Sequence, residues 1–127
     1  MTATILVVDD EPDLEALVLQ KFRKQIRDGA VTFMFAHDGV EALQSIEKHP
    51  HVDMVVSDIN MPRMDGLSLL REIKSRRPDL PVMMVTACGD DERRRQAEGA
   101  GASRFLTKPV DFDLLKQELR RLAATPM

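Results

Sequence analysis

Apolar and polar positions follow one another along this chain in two registers. Short continuous apolar runs, Ile5 to Val8, Val31 to Ala36, "DMVVSD" ending at Asp58, "LPVMMVTA" after Asp79 and "SRFLTKP" around Phe105, alternate with longer stretches whose apolar residues recur every three or four positions. The continuous runs predict strands buried on both faces, and the spaced pattern predicts amphipathic helices. Leu14, Leu17, Val18, Phe22 and Ile26 predict a first helix from Pro12 to about Arg27, and Pro12 suits its first turn. Val40, Ala42, Leu43 and Ile46 predict a second helix from Gly39 to Lys48. Leu67, Leu69, Leu70 and Ile73 predict a third, capped by Asp65 and ending near Arg77 and Pro78. The stretch from Asp90 to Glu98 is so polar that a fourth helix there is weakly anchored, with Gly99 and Gly101 closing it. A fifth helix runs from a cap at Asp111 through Leu122.

Five strand-helix units in succession argue for an α/β fold, a (βα)5 doubly wound parallel sheet covered by helices on both faces. Such sheets hold their ligands beyond the carboxyl ends of the strands. The pattern therefore becomes a geometry. Asp9 and Asp10 end the first strand, Asp58 the third and Thr86 the fourth, while Lys108 lies just past the fifth. Three consecutive carboxylates, Asp9, Asp10 and Glu11, store repulsion of about 4 kcal/mol per close pair at an effective dielectric of roughly 20, which calls for a counter-charge. Neighbouring strands run about 4.8 Å apart, so carboxylates from the first and third can meet at one ion. Hard oxygen donors without histidine or thiolate beside them suit Mg2+.

Composition narrows the function. The length of 127 residues and 43% hydrophobic content fit a single domain, expected over residues 4–122, with residues 123–127 a tail whose Pro126 could begin a linker. Lys and Arg number 18 against 21 Asp and Glu, and the net charge of -3 gives no footprint for direct nucleic acid binding. The single cysteine, Cys88, forms no internal disulfide, and no signal peptide or membrane-spanning run is apparent, so a cytoplasmic location is expected. There is no internal repeat or low-complexity tract.

The stretches "VVDDEP", "SDINMPRMDG", "VTA" and "FLTKP" stand at the ends of four predicted strands, in an order and at a spacing that resemble the receiver domains of two-component response regulators. The resemblance covers about Thr4 to Leu122. It implies a flavodoxin-like strand order, 2-1-3-4-5, which alternation alone does not fix. It implies that Asp58 accepts a phosphoryl group from a histidine kinase or phosphotransfer protein. Asp10 would bind Mg2+ directly, Asp9 mainly through water, and the backbone carbonyl of Asn60 would be a further ligand. Lys108 would pair with a phosphoryl oxygen, Thr86 would donate its hydroxyl to another, and Phe105 would turn inward behind it. The surface of the fourth helix, fifth strand and fifth helix would then control a downstream output domain or protein. Such a chain is not an enzyme acting on a separate substrate; it catalyses only its own phosphorylation and dephosphorylation.

Blander roles compete at several positions. Asp65, close to Asp58 in sequence, is read as a helix cap and left out of the site. His37, His49 and His51 lack partners at metal-ligand spacing and are surface residues. Met34, Met54, Met83 and Met84 are core fillers. Arg93 to Arg95 form a solvated helix face or meet an acidic partner. Cys88, Phe105 in place of a common tyrosine, and Ser103 and Arg104 where one DNA-binding subfamily tends to be acidic are departures from the family pattern. They bear on phosphoryl lifetime, on the switch and on dimerisation through that surface. Two alternatives stay in view: a pseudo-receiver that only binds partners, and a Mg2+-dependent aspartyl-phosphate hydrolase. The hydrolase pattern wants a second Asp where this chain has Asn60. A flavin or nucleotide carrier of similar topology would offer glycines and hydroxyls to phosphate, where "DDEP" offers negative charge.

Overall fold

A computed structural model describes residues 3–59, 65–86, 91–107 and 112–124. The elements in chain order are β1 (Ala3–Val8), α1 (Pro12–Lys21), α2 (Arg23–Arg27), β2 (Val31–Ala36), α3 (Gly39–Lys48), β3 (Met54–Asp58), α4 (Gly66–Arg76), β4 (Val82–Thr86), α5 (Asp91–Gly99), β5 (Arg104–Thr107) and α6 (Phe112–Ala124). All four strand pairings are parallel and the order is β2-β1-β3-β4-β5, the expected flavodoxin-like arrangement.

The continuous apolar runs do become strands, and every residue of the central β3 and β4 is buried; the edge strands depart from the expectation of burial on both faces, with Thr32 of β2 and Arg104 and Thr107 of β5 exposed. Side chains alternate between two cores. On one sheet face Leu6, Val8, Val55, Val82 and Met84 pack with residues of α3, α4 and α5. On the other, Ile5, Val7, Val56, Met83, Val85 and Leu106 pack with Val18, Phe22, Leu115 and Leu119 of the α1, α2 and α6 layer. Burial of a Leu, Ile or Phe side chain contributes about 1.5–3 kcal/mol, so the two layers together hold the sheet in place.

The first helix departs from expectation. Phe22 leaves helical geometry at φ -106° and ψ 16°, splitting the expected Pro12 to Arg27 helix into α1 and α2. The ladder continues across the break, since Phe22 N–H donates to Val18 and Ile26 N–H to Phe22. The Phe22 ring is fully buried, edge-on to Phe33 of β2 at 5.1 Å between centroids. Docking this ring on the sheet bends the backbone while most of the bonds survive. The described residues therefore form six helices where five are expected, and the expected fourth and fifth helices are α5 and α6.

The cap expected at Asp65 is present, its side chain accepting from Ser68 N–H at 2.8 Å; Asp38, not singled out in the sequence, likewise accepts from Glu41 N–H at 2.9 Å at the expected start of α3, each satisfying an orphan donor of a first turn. Helix α5 buries Ala97 alone, in keeping with its polar sequence. It ends with Gly101 at φ 100°, a conformation that favours glycine, and Ala102 N–H returns to the Ala97 carbonyl. The expected cap Asp111 lies outside the described residues.

Candidate functional site

The carboxyl end of β1 is fixed before its acidic residues begin. Asp9 follows Val8 directly, and its N–H donates to the Ala36 carbonyl of β2 at 3.0 Å, extending the sheet by one bond. Its carboxylate is 6% exposed and accepts the Glu11 N–H at 2.7 Å, closing a tight turn. Asp10 and Glu11 are exposed. Strand order then brings β3 beside β1, with Val8 opposite Ser57, so that Asp58 ends its strand next to Asp9. Asp58 is 3% exposed.

Carboxylate oxygens of Asp9, Asp10 and Asp58 all lie within 4.8 Å of one another. Three hard, anionic donors from two adjacent strand ends, with neither imidazole nor thiolate in the group, match the demands of a small divalent cation that retains part of its water shell. The donor set thus fits Mg2+. Glu11, the third carboxylate of the sequence run, stands outside this group and contributes its backbone N–H instead.

The segment after Asp58 returns closely over it. Gly66 N–H donates to the Ile59 carbonyl at 2.8 Å, and a Cβ at Gly66 would overlap the Asp58 carbonyl oxygen and stand 2.6 Å from Ile59 Cα. Gly66 is therefore a residue of the site's scaffold that periodicity does not reveal; its one sequence signal is a glycine directly after the Asp65 cap. Ser57, fully buried, donates its hydroxyl to the same Asp58 carbonyl at 3.0 Å.

Thr86 ends β4, one residue beyond the Val85 that faces Asp58, and is 3% exposed. By strand alternation it shares the sheet face of Val82 and Met84. Phe105 of β5 lies on that face too, half-buried and opposite Met84. The Arg94 guanidinium of α5 sits over the Phe105 ring, 4.9 Å from its centroid. Farther along, Arg104 Nε is 2.5 Å from Glu118 Oε1 of α6, and Arg121 Nη1 is 3.1 Å from the same oxygen. Asp9, Asp10, Asp58 and Thr86 are thus brought to one end of the sheet, with Phe105 behind Thr86. Asn60, Lys108 and Cys88 lie outside the described residues. His37 is exposed, with ring nitrogens 3.6 Å from Glu15 and 3.5 Å from Glu41.

Comparison with known proteins agrees with this architecture. Residues 5–120 match the family model described as the response regulator receiver domain. Response regulator MprA of Mycobacterium ulcerans (strain Agy99) is 37% identical over 122 residues, which is 96% of this chain and 50% of that protein. Sensor histidine kinase RcsC of Escherichia coli (strain K12) is 39% identical over 115 residues, 91% of this chain and 12% of that protein. The chain spans about half the length of the MprA relatives it matches. Among solved structures, the receiver domain of NtrX from Brucella abortus superposes with a TM-score of 0.80 at 36% identity, over 96% of this chain and 99% of that one. The Francisella response regulator 1452 receiver domain gives 0.79 at 28% identity, over 94% and 95%. A match of this extent in sequence, strand order and strand-end chemistry makes the chain a member of the response regulator receiver domains of two-component systems.

Proposed function

We propose that this receiver domain is a phosphorylation-driven switch in which Asp58 takes a phosphoryl group from a phosphohistidine of a histidine kinase or phosphotransfer protein. The observation that carries this is the convergence of the Asp9, Asp10 and Asp58 carboxylates, within 4.8 Å of one another, at the carboxyl ends of two adjacent strands. A carboxylate oxygen of Asp58 attacks phosphorus, the phosphorus–nitrogen bond breaks, the electron pair stays with the departing imidazole, and Asp58 becomes an acyl phosphate. Attack by water at phosphorus later returns the carboxylate and releases phosphate.

Phosphoryl transfer asks a protein chiefly to position the reactants and to neutralise spreading charge. Asp9, Asp10, Asp58 and the Asn60 backbone carbonyl would hold Mg2+, which when bound supplies positive charge beside the transferring oxygens. Lys108 is assigned a second positive charge by resemblance. Thr86, at the end of the next strand, offers its hydroxyl to a phosphoryl oxygen. Its movement makes room for Phe105, and the consequence is felt on α5, β5 and α6, the surface through which a downstream domain or protein is controlled. MprA is named a response regulator and RcsC a sensor histidine kinase, which supports a phosphorelay as the setting.

Intact-mass spectrometry tests the acceptor. With acetyl phosphate and Mg2+, the chain is expected to gain one phosphoryl group, and Asp58→Asn none. An adduct of undiminished yield in Asp58→Asn would place the acceptor elsewhere.

A further inference from the structure

The two edges of the sheet are built differently. Among the described residues β5 spans four positions and carries Arg104, and short, charged edges are how sheets avoid pairing with their neighbours. β2 is six residues long, Val-Thr-Phe-Met-Phe-Ala, with no charge, proline or glycine, and among the described residues β1 is its one neighbouring strand. Thr32 is exposed and Phe33, Met34 and Phe35 are partly buried. Phe33 and Phe35 stack on the sheet face packed by α1 and α2, at 6.3 Å between ring centroids, while Met34 packs on the opposite face.

Backbone direction adds a second observation. Ala3 N–H donates to the Ala30 carbonyl and Asp9 N–H to the Ala36 carbonyl, and the register runs from Ala3 opposite Val31 to Val8 opposite Ala36. These bonds turn the peptide groups of Ala30, Thr32, Met34 and Ala36 toward β1. The N–H and C=O of Val31, Phe33 and Phe35 consequently point away from the sheet, because successive residues of a strand bond to opposite sides.

We propose that β2 is a self-pairing edge, at which two copies of this chain join antiparallel about a two-fold axis through Met34. In this register Phe33 of each copy stands opposite Phe35 of the other, and each such pair exchanges both of its outward backbone hydrogen bonds. Met34 meets Met34 in the closely spaced position between them. Aromatic residues directly opposite one another are among the favourable cross-strand pairs. A two-fold axis sets the residue upon it against its own copy, so a charge there would repel itself, and this strand is neutral.

The flanking helices complement one another under the same axis. α1 begins beside the carboxyl end of β2, where Glu15 reaches His37, and has Asp13 and Glu15 in its first turn. α2 lies beside the amino end, where Ala30 N–H donates to the Gln25 carbonyl, and it carries Arg23, Lys24 and Arg27. Antiparallel pairing brings the acidic start of α1 in one copy toward the basic α2 of the other. Neutral strand and opposed helix charges together favour a second copy over an unrelated strand. The ladder is short, so the dimer belongs with weak, concentration-dependent interfaces. This edge is independent of the phosphoryl-acceptor assignment.

Sedimentation equilibrium on the whole chain, from micromolar to millimolar concentration, tests it. The weight-average mass is expected to rise from one chain toward two and to stop there. Met34→Lys and Met34→Glu are each expected to remain at one chain, since each sets like charges against one another on the axis, and an equimolar mixture of the two is expected to recover the dimer. Amide exchange in the unaltered chain is a readout that needs no variant: Phe33 and Phe35 amides are expected to slow as concentration rises, while Phe105 on the opposite edge does not. Any one of four results would overturn the proposal: a wild-type mass that stays at one chain, growth past two chains, Met34→Lys that associates as the wild type does, or Phe33 and Phe35 amides indifferent to association. A mixture of the charged variants that stays monomeric would overturn the position of the axis.

Discussion

Asp9 and Asp58 are almost wholly buried whereas Asp10 is exposed, and this division decides what each substitution tests. Asp9 also holds the Glu11 N–H, so replacing it disturbs the turn as well as the cluster. Asp10→Asn removes one negative charge from the group of three and leaves packing alone. A ligand that binds only the folded state stabilises it by about 1.4 kcal/mol at ten times its dissociation constant. Mg2+ is therefore expected to raise the melting temperature of the wild type, and Asp10→Asn to lose most of that shift while melting normally without the ion. A full Mg2+ shift in Asp10→Asn would move the cation away from this cluster. These carboxylates were legible in the sequence because each ends an apolar run, and a parallel sheet gathers strand ends. Arg94 over Phe105 was not, because α5 has no apolar stripe to say which of its arginines faces the sheet. A cation–π contact of this kind contributes about 0.5–1 kcal/mol at an exposed site.

Among the elements, strands were easier to foresee than helix geometry. The apolar runs of the central β3 and β4 are buried throughout, while the edge strands β2 and β5 keep exposed positions, and the break at Phe22 left no trace in a spacing that passes smoothly from Val18 through Phe22 to Ile26. It comes from a tertiary demand, the docking of one ring against Phe33. The start of α4 shows a second such demand. Asp65 and Gly66 signal a helix start in any sequence, yet only the fold shows that Gly66 passes over the Asp58 carbonyl with no room for a side chain. Forcing an extra methyl into a filled space typically costs about 1–3 kcal/mol. Gly66→Ala is expected to lower stability by that amount in urea denaturation and also to slow phosphorylation of Asp58, because the backbone that must yield is that of Asp58 and Ile59. Gly99→Ala is the contrasting case: no atom lies within 4 Å of a Cβ there, so stability should hold or improve. Equal stability losses for both would mean that the close approach at Gly66 is not what limits the site.

At the scale of the whole molecule, elements with many and with few buried residues pack on the same sheet face, α3 and α4 among the first and α5 the second. The faces of β3 and β4 are fully buried, while α5 is anchored by the burial of Ala97 and by Arg94 on Phe105. Elements with few buried contacts are those that move at small free-energy cost. As the proposed acceptor, Asp58 would gain nearly two negative charges and strong acceptor oxygens with a phosphoryl group. Thr86, buried at the adjacent strand end and on the same sheet face as Phe105, is the described hydroxyl through which that charge can reach α5. In the proposed switch, drawing Thr86 toward the site would open space behind it, Phe105 would fill that space, and the ring would leave the Arg94 guanidinium that covers it. Two packings separated by only a few kcal/mol suffice for such a switch, since the ligand's differential affinity need only match that gap. With beryllofluoride and Mg2+ as a mimic of the acyl phosphate, backbone NMR shifts are expected in two clusters, one around Asp58 and one across α5, β5 and the start of α6. Thr86→Ala is expected to keep the first and shrink the second. A distant cluster of full size in Thr86→Ala would rule out coupling through Thr86 and Phe105, and would send the signal out instead through the Gly66 approach to Asp58, where Gly66→Ala would then be the variant that abolishes it.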